Sequence, residues 1–517
     1  MHLTQGVHRS VQIHRNGVST VFGERRRTWG ETIDRVARLA AGLAALGMKD
    51  GDRVGLVANN SDRYLETYYG VAWGAGVIVP GNTRWAEAEH VHALRDSGVG
   101  ILILDASFVR FAEPFTAAGV GPLVYMDDGP APGGMVHYED LIARHAPAPD
   151  RCPSGPALAA IFYTGGTTGR SKGVMLSHGS LTASVLCAAP MRPQEPDAVF
   201  LHSPPMFHMA DAGCIIGETM MGGSHVIIPG FTPAGVIDAI ARDKVTALLL
   251  VPTMFAMLDA WVAEHPADLS SVRRVIYGAS AISDDLLIRA MRLFPNAQFQ
   301  QAYGQTELSP TASVLEARFH ALEGPDAGKR RSAGRAIIGV DIKIAGEDLA
   351  ELPVGQVGEI LVRSPGCMLG YWNMPELTAE TIVDGWLRTG DAGYMDEDGF
   401  LFVVDRVKDM VVSGGENVYS AEVENALARH PAVAECAVIG VPDERWGERV
   451  HAVLRLREGQ VVTEQAIIDH CRTLIANYKC PRSVSFSDGP LPLSGAGKIL
   501  KTELRKPFWE GRERQVG

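Results

Sequence analysis

The chain has 517 residues, 46% hydrophobic and 21% charged, with a formal net charge of −12. That length exceeds one ordinary core and points to about two to four domains. The acidic balance excludes a basic nucleic-acid-binding face, and no apolar stretch reaches the roughly 20 residues that a membrane span needs.

The seven cysteines are scattered without a C-x-x-C pair, as expected of small buried hydrophobes in a reducing compartment. The opening residues, Met1 to Asn16, lack the apolar run of a signal peptide. These features lead to the expectation of a cytoplasmic protein without nucleic-acid partners. Peripheral membrane contact and assembly as a homodimer stay open.

In chain order, Thr28-x-x-Glu31 has the spacing of a helix capping box. Ile33, Val36, Leu39, Leu43 and Leu46 follow at helical period, and Gly47 is the expected stop. An apolar strand is predicted at 54–58, a helix from about Ser61 and a strand at 77–79. Further short apolar runs lie at 101–104, 159–163, 247–251 and 275–277, mostly separated by helical stretches. This alternation predicts an α/β fold of helix-covered, mostly parallel sheets. Beyond about residue 340, short strand-like runs between glycines (342–344, 358–362, 400–404) predict a β-rich subdomain. The charged segment Asp405 to Asp409 then marks a boundary, giving a large domain of residues 1–405 and a small α+β domain of 406–517. In the latter, a helix from Ser420, strands at 437–439 and 452–456, and a helix at 464–475 are expected.

Residues Tyr163 to Gly173 read YTGGTTGRSKG. Glycines let backbone N–H groups approach a phosphate, hydroxyls add donors and Lys172 adds charge. This is not a Walker loop, because Lys172 stands three residues after Gly169 and is followed by Gly173. The segment resembles the phosphate loop of the adenylate-forming superfamily of acyl-CoA synthetases, luciferases and adenylation domains. Many members carry serine where this chain has Gly165. Four further segments match in the family's order. They are Tyr303-Gly-Gln-Thr-Glu307, Trp386-Leu-Arg-Thr-Gly-Asp391, Asp405-Arg406 with Ser413-Gly-Gly-Glu-Asn417, and the lysine segment around Gly497-Lys498.

The resemblance implies an ATP-dependent acid–thiol ligase. It would join a carboxylic acid to AMP with release of pyrophosphate, then pass the acyl group to coenzyme A. Attack of a carboxylate on a phosphate is anion meeting anion, so such a site must neutralise charge and align the reactants. By resemblance, Thr164, Gly165, Gly166, Thr167, Thr168, Gly169 and Lys172 cradle phosphates, Thr306 donates to the α-phosphate and Glu307 binds Mg²⁺. Tyr303 stacks on adenine, with Gly278, Ala279, Ser280, Gln301, Ala302 and Gly304 around it. Asp391 takes the ribose hydroxyls, Arg406 reaches the ribose or phosphate side, and Lys498 bridges the acid and the α-phosphate. Lys408 is the implied pivot of a domain rotation between the two half-reactions. Ser413, Gly414, Gly415, Glu416, Trp446 and Lys479 are the implied CoA contacts.

Pro205-Met-Phe-His208 resembles the family's P-x-F-H segment, which sets His208 beside the acid. With Val251, Thr253, Met254, Ala279, Ala302 and Pro310 it describes an apolar acyl pocket. No Arg or Lys stands in these segments, which argues against a second carboxylate on the acid. A medium- or longer-chain fatty acid is the first expectation, an aryl or arylalkanoic acid the second. The alternative function is loading of a carrier-protein thiol.

Overall fold

The computed structural model describes residues 1–510 except 154, 165–170, 192–196, 281, 408, 414–415, 444 and 495–498. Two large sheets dominate. In the first, of eight strands, Leu158–Thr164, Val77–Pro80, Arg53–Val57 and Val99–Leu104 run parallel side by side. In the second, of nine strands, Gln298–Tyr303, Arg274–Gly278, Ala247–Leu250 and Val199–His202 do the same. Antiparallel strands close both edges of the nine-stranded sheet and one edge of the other, as where Ser313–Leu315 pairs with Gln298–Tyr303.

Side chains of a strand alternate between faces, so a parallel strand covered on both sides is apolar throughout. In Val77–Pro80, Ile78 enters one core and Val77 and Val79 the other. The largest core lies between the two sheets, where Trp29–Ala45, Asp62–Trp73, His178–Ala188 and Met209–Met221 pack as helices. Helices Pro233–Asp243, Pro252–Glu264 and Asp284–Leu293 cover the outer face of the nine-stranded sheet.

Local signals act as expected at the first helices. Thr28 Oγ1 accepts from Glu31 N at 3.2 Å, and Glu31 Oε2 accepts from Thr28 N at 2.7 Å. The helix ends at Ala45, and Gly47 takes φ +103°. Ser61 caps the next helix, all twelve residues of which are buried. Their burial was not legible in sequence, because Asp62, Arg63 and Glu66 go in with the apolar residues. Buried charges need partners. Arg25 Nη2 reaches Asp62 at 2.9 Å, Arg35 Nε reaches Glu66 at 2.6 Å and Arg63 Nε reaches Glu139 at 2.7 Å.

A five-stranded sheet follows, containing Asp341–Ala345, Gly358–Arg363, Trp386–Met395 and Leu401–Arg406. Another five-stranded sheet begins at Val411–Ser413 and contains the long antiparallel pair Val433–Asp443 and Gly447–Leu456. Both strands of that pair exceed their predicted lengths, because each continues beyond its apolar centre through polar residues held by the partner's hydrogen bonds. The helix expected at 464–475 stops at Arg472. At the end of the last strand of the preceding sheet, Asp405 accepts from Arg406 N at 2.8 Å and also from Ser420 N. Arg505 Nη2 donates to Asp409 at 2.6 Å, and Lys501 pairs with Glu424 at 2.8 Å. Burial pulls the Lys501 ammonium down, but Glu424, Asp405 and Asp409 together hold it above its ordinary value. The terminal helix Lys501–Trp509 is thus tied to both sides of position 408.

Candidate active site

A cleft of about 1010 Å³ opens where the strands of both large sheets reach their carboxyl ends. Parallel α/β sheets place ligands there, since loops diverge beyond the last hydrogen bond. Thr164 ends one strand, Gly278 and Tyr303 end two others, and all three line the cleft.

Two glycines fix the floor by close backbone approach. A Cβ on Gly278 would stand 2.1 Å from the Ala302 carbonyl oxygen, and one on Gly304 would stand 2.0 Å from that of Pro310. The next residue, Ala279, adopts φ +64°, so the chain turns out of the strand at once. We expect Gly278→Ala to part the strand ends and cost about 1–3 kcal/mol, the usual cost of overpacking. Urea unfolding measures this, and a midpoint equal to wild type counts against so tight a floor.

Tyr303 Oη donates to Asp391 Oδ2 at 2.9 Å, and Arg406 Nε lies 3.7 Å from Asp391 Oδ1. Burial first, then the Asp391 carboxylate, push the Tyr303 phenol well above its ordinary value and keep it a donor. Asp391 sits on the strand Trp386–Met395, where sequence reasoning assigned no element, because its glycines and polar residues break the apolar alternation. Just before it, Thr389 Oγ1 donates to Ile360 O at 2.7 Å and accepts from Asp391 N at 3.1 Å.

Thr306 and Glu307 occupy a 3₁₀ turn and are both buried. Glu307 Oε1 accepts from Tyr371 Oη at 2.9 Å, and its carbonyl accepts from Met368 N at 2.8 Å. Tyr371 was missed in the sequence. It arrives because Gly370–Tyr371 pairs with Lys172–Ser177, an unforeseen strand that returns antiparallel from the glycine-rich segment. Lys172 Nζ lies 4.7 Å from the Tyr371 ring centre, a cation–π contact. Among the described residues no lysine or arginine pairs with Glu307.

Of the residues expected to hold the acid, His208 is the N-cap of the helix Met209–Met221 and lines the cleft with Ala279, Ala302 and Pro310, as do Phe207 and Gly213. Ala302 packs towards Phe200, Cys214, Leu249 and Ile276, which form an apolar wall. Val251, Thr253 and Met254 do not join them. Pro252 starts a helix directly after the strand Ala247–Leu250. That turn carries Val251 and Met254 into the core on the outer face of the sheet, and none of the three lines the cleft. Ser280 and Gln301 also fall outside the lining residues.

Of the expected CoA contacts, Ser413 and Glu416 lie on strands of the small C-terminal sheet, and Trp446 and Lys479 in turns. Ser413 pairs with both Glu416 and Gly447, which brings Trp446 beside them. Lys479 is held in an ion pair with Glu422 at 2.8 Å. None of these four residues lines the cleft. Gly165, Gly166, Thr167, Thr168, Gly169, Lys408, Gly414, Gly415 and Lys498 lie outside the described residues.

The fold and cleft define the class first: an α/β enzyme with a nucleotide-sized cleft roofed by a small C-terminal domain. The family model described as AMP-binding enzyme matches residues 7–372, and that of the AMP-binding enzyme C-terminal domain matches 422–498. The chain belongs to the AMP-binding enzyme family. A feruloyl-CoA synthase from an Amycolatopsis species is 40% identical, covering 93% of this chain and 94% of its own. A fatty acid–[acyl-carrier-protein] ligase, ScoC, from Streptomyces coeruleorubidus is 35% identical, covering 97% and 96%. The crystal structure of the anthranilate CoA ligase AuaEII in complex with anthranoyl-AMP superposes with a TM-score of 0.90 at 26% identity, covering 98% of this chain and 97% of the other. The chain is an acid–thiol ligase of the AMP-forming type. Among the described residues no helix is long and apolar enough to cross a membrane.

Proposed function

We propose that this acyl-CoA synthetase activates an aryl-bearing carboxylic acid of about the size of ferulate. A carboxylate oxygen attacks the α-phosphorus of ATP, pyrophosphate leaves, and the sulfur of CoA then replaces AMP at the acyl carbon. The observation that carries the reading is the cleft itself. Its polar end is built on Thr306, Glu307, Tyr303 and Asp391, and its other end on Ala302, Gly213 and Pro310. The aryl acid is favoured over the fatty acid placed first by sequence because the feruloyl-CoA synthase is 40% identical and the fatty-acid ligases 34–36%, with indoleacetate and anthranilate CoA ligases also among the relatives.

In this reading Tyr303 packs against the base while its hydroxyl orients Asp391. The Asp391 carboxylate, able only to accept, takes the ribose hydroxyls. Thr306 donates to the α-phosphate. Glu307 is a buried carboxylate without a protein cation among the described residues, steadied by one phenol hydrogen bond. That donor chemistry suits Mg²⁺, which takes oxygen ligands and is held by one or two carboxylates with phosphates and water. When bound, the ion neutralises charge on the phosphates.

Lys498 brings the remaining positive charge. Its placement is supported by Ser494 and Ile499, the nearest described residues on either side, both of which line the cleft. Arg84 Nη1 donates to Ser494 O at 2.9 Å, joining large and small domains there. Rotation about Lys408 would then exchange this face for the one bearing Ser413, Glu416 and Trp446. The domain limits 1–405 and 406–517 belong to the same proposal.

The test is a panel of straight-chain and aryl acids assayed for acyl-CoA formation, run on the wild type and on Ala302→Gly. Wild type should prefer aryl acids. Ala302→Gly should move the preference towards bulkier acids in a graded way, since one methylene is worth only ~1–3 kcal/mol. A ranking led by long straight chains would refute the aryl assignment, and an unchanged ranking in the variant would remove Ala302 from the pocket. Acyl transfer to a carrier protein but not to CoA would favour the carrier-loading alternative.

A further inference from the structure

Outside the cleft, the start of the chain meets the segment that precedes the glycine-rich strand. The ligand-capable atoms of His2, Asp150 and Cys152 all lie within 4.8 Å of one another. Among the described residues no other group of three such side chains comes so close. We propose that His2, Asp150 and Cys152 form a structural Zn²⁺ site that fastens the N-terminal helix to this segment.

The donor set is one imidazole, one carboxylate and one thiol. Zn²⁺ accepts nitrogen, oxygen and sulfur ligands in tetrahedral sites, whereas Mg²⁺ and Ca²⁺ take oxygen. Three protein ligands leave the fourth position to water. The surroundings supply the outer partners that such a site uses. Asp150 has a side chain only 5% exposed, and His8 Nε2 lies 2.8 Å from its Oδ2. Its Oδ1 accepts from Cys152 N at 2.8 Å, which holds Cys152 beside it. His2 Nδ1 lies 2.6 Å from Thr4 Oγ1, which fixes the ring. Both sides of the site are anchored. His8 stacks on Trp73, with ring centres 4.9 Å apart, and Trp73 Nε1 donates to Ala148 O at 2.8 Å.

Zinc takes cysteine as the thiolate, so binding the ion would exchange the thiol proton for the metal: the S–H bond breaks, the Zn–S bond forms and the proton goes to solvent.

The clipped helix Gln5–His14 lies on the helix Met209–Met221. Arg9 Nη1 donates to Met220 O at 2.7 Å and Ser10 Oγ to Thr219 O at 2.5 Å. The far end of that second helix is His208 at the cleft. A clip at residue 2 thus steadies the packing beneath the acyl pocket without adding a group to it.

The experiment titrates Co²⁺, then Zn²⁺ as competitor, into the full chain freed of any affinity tag, with thermal unfolding read in parallel. The expected result is about one Co²⁺ per chain, with a thiolate-to-cobalt absorption band that Zn²⁺ abolishes. Cys152→Ser should lose the band, and His2→Ala should weaken binding at least about tenfold. Zn²⁺ should raise the Tm of the wild type and not that of either variant, since a ligand held only by the folded state stabilises it. Absence of the band in wild type, its survival in Cys152→Ser, or an equal Tm rise in the variants would overturn the proposal. Cys152 is exposed, so its replacement leaves the core intact, and His2→Ala gives an independent reading.

Discussion

Replacing Lys498 with alanine should lower formation of the acyl-adenylate from acid and ATP by about 10²–10³-fold, the range for loss of a group that meets charge developing in the transition state. The same variant should convert a chemically supplied acyl-adenylate to acyl-CoA at close to the wild-type rate. The physical reason is that the lysine charge is needed only while carboxylate and phosphate approach each other. In the second half-reaction the departing AMP is already formed, and the segment on either side of Lys498 would have turned away. Lys408→Pro should give the opposite pattern, because proline holds φ near −65° and resists the hinge change. The adenylate then forms and thioester formation slows. Single-turnover kinetics of each half-reaction decide the matter. Equal loss of both steps in both variants, with folding intact, would show that one domain arrangement serves the whole reaction.

The second large effect is expected at Glu307. Glu307→Gln keeps shape and the acceptor for Tyr371, but exchanges a carboxylate oxygen for an amide, a poorer ligand for a hard cation. Adenylation at limiting Mg²⁺ should fall on the order of 10²-fold, about 2.7 kcal/mol in the barrier. Raising Mg²⁺ should restore part of it. The companion Tyr371→Phe removes only the hydrogen bond of 2.9 Å to Oε1. It should act weakly and shift the apparent Mg²⁺ affinity more than kcat at saturation. Wild-type Mg²⁺ dependence in Glu307→Gln would separate this carboxylate from the metal. The two experiments are independent, because Lys498→Ala is read at saturating Mg²⁺ and Glu307→Gln by its Mg²⁺ dependence.

How much was legible in the sequence follows from the range of each interaction. Strands at 77–80, 99–104, 247–250 and 274–278 announce themselves because parallel strands buried on both faces are apolar throughout. The first helix caps are equally local: Thr28 and Glu31, and Ser61, make their bonds within three residues. The five motifs carried the resemblance because the chemistry at a backbone turn constrains consecutive residues. Gly304 shows the constraint, since no side chain fits 2.0 Å from the Pro310 oxygen.

Contacts between distant segments had no such signature. Tyr371 meets Glu307 across 64 residues and Tyr303 meets Asp391 across 88, the latter between strands of two different sheets. Asp62 and Glu66 look like solvated helix acids until arginines from two other segments, the strand Arg25–Thr28 and the helix Trp29–Ala45, close over them. Val251 and Met254 read as pocket residues beside a strand end, and only the helix starting at Pro252 turns them into the opposite core. By itself the sequence determined the apolar parallel strands, the first helices, the family and the type of reaction, because those rest on periodicity and on consecutive residues. Which acids are buried, which walls the acyl pocket has, and that His2 meets Asp150 and Cys152 were decided by tertiary packing, because each depends on segments that the chain brings together only when folded.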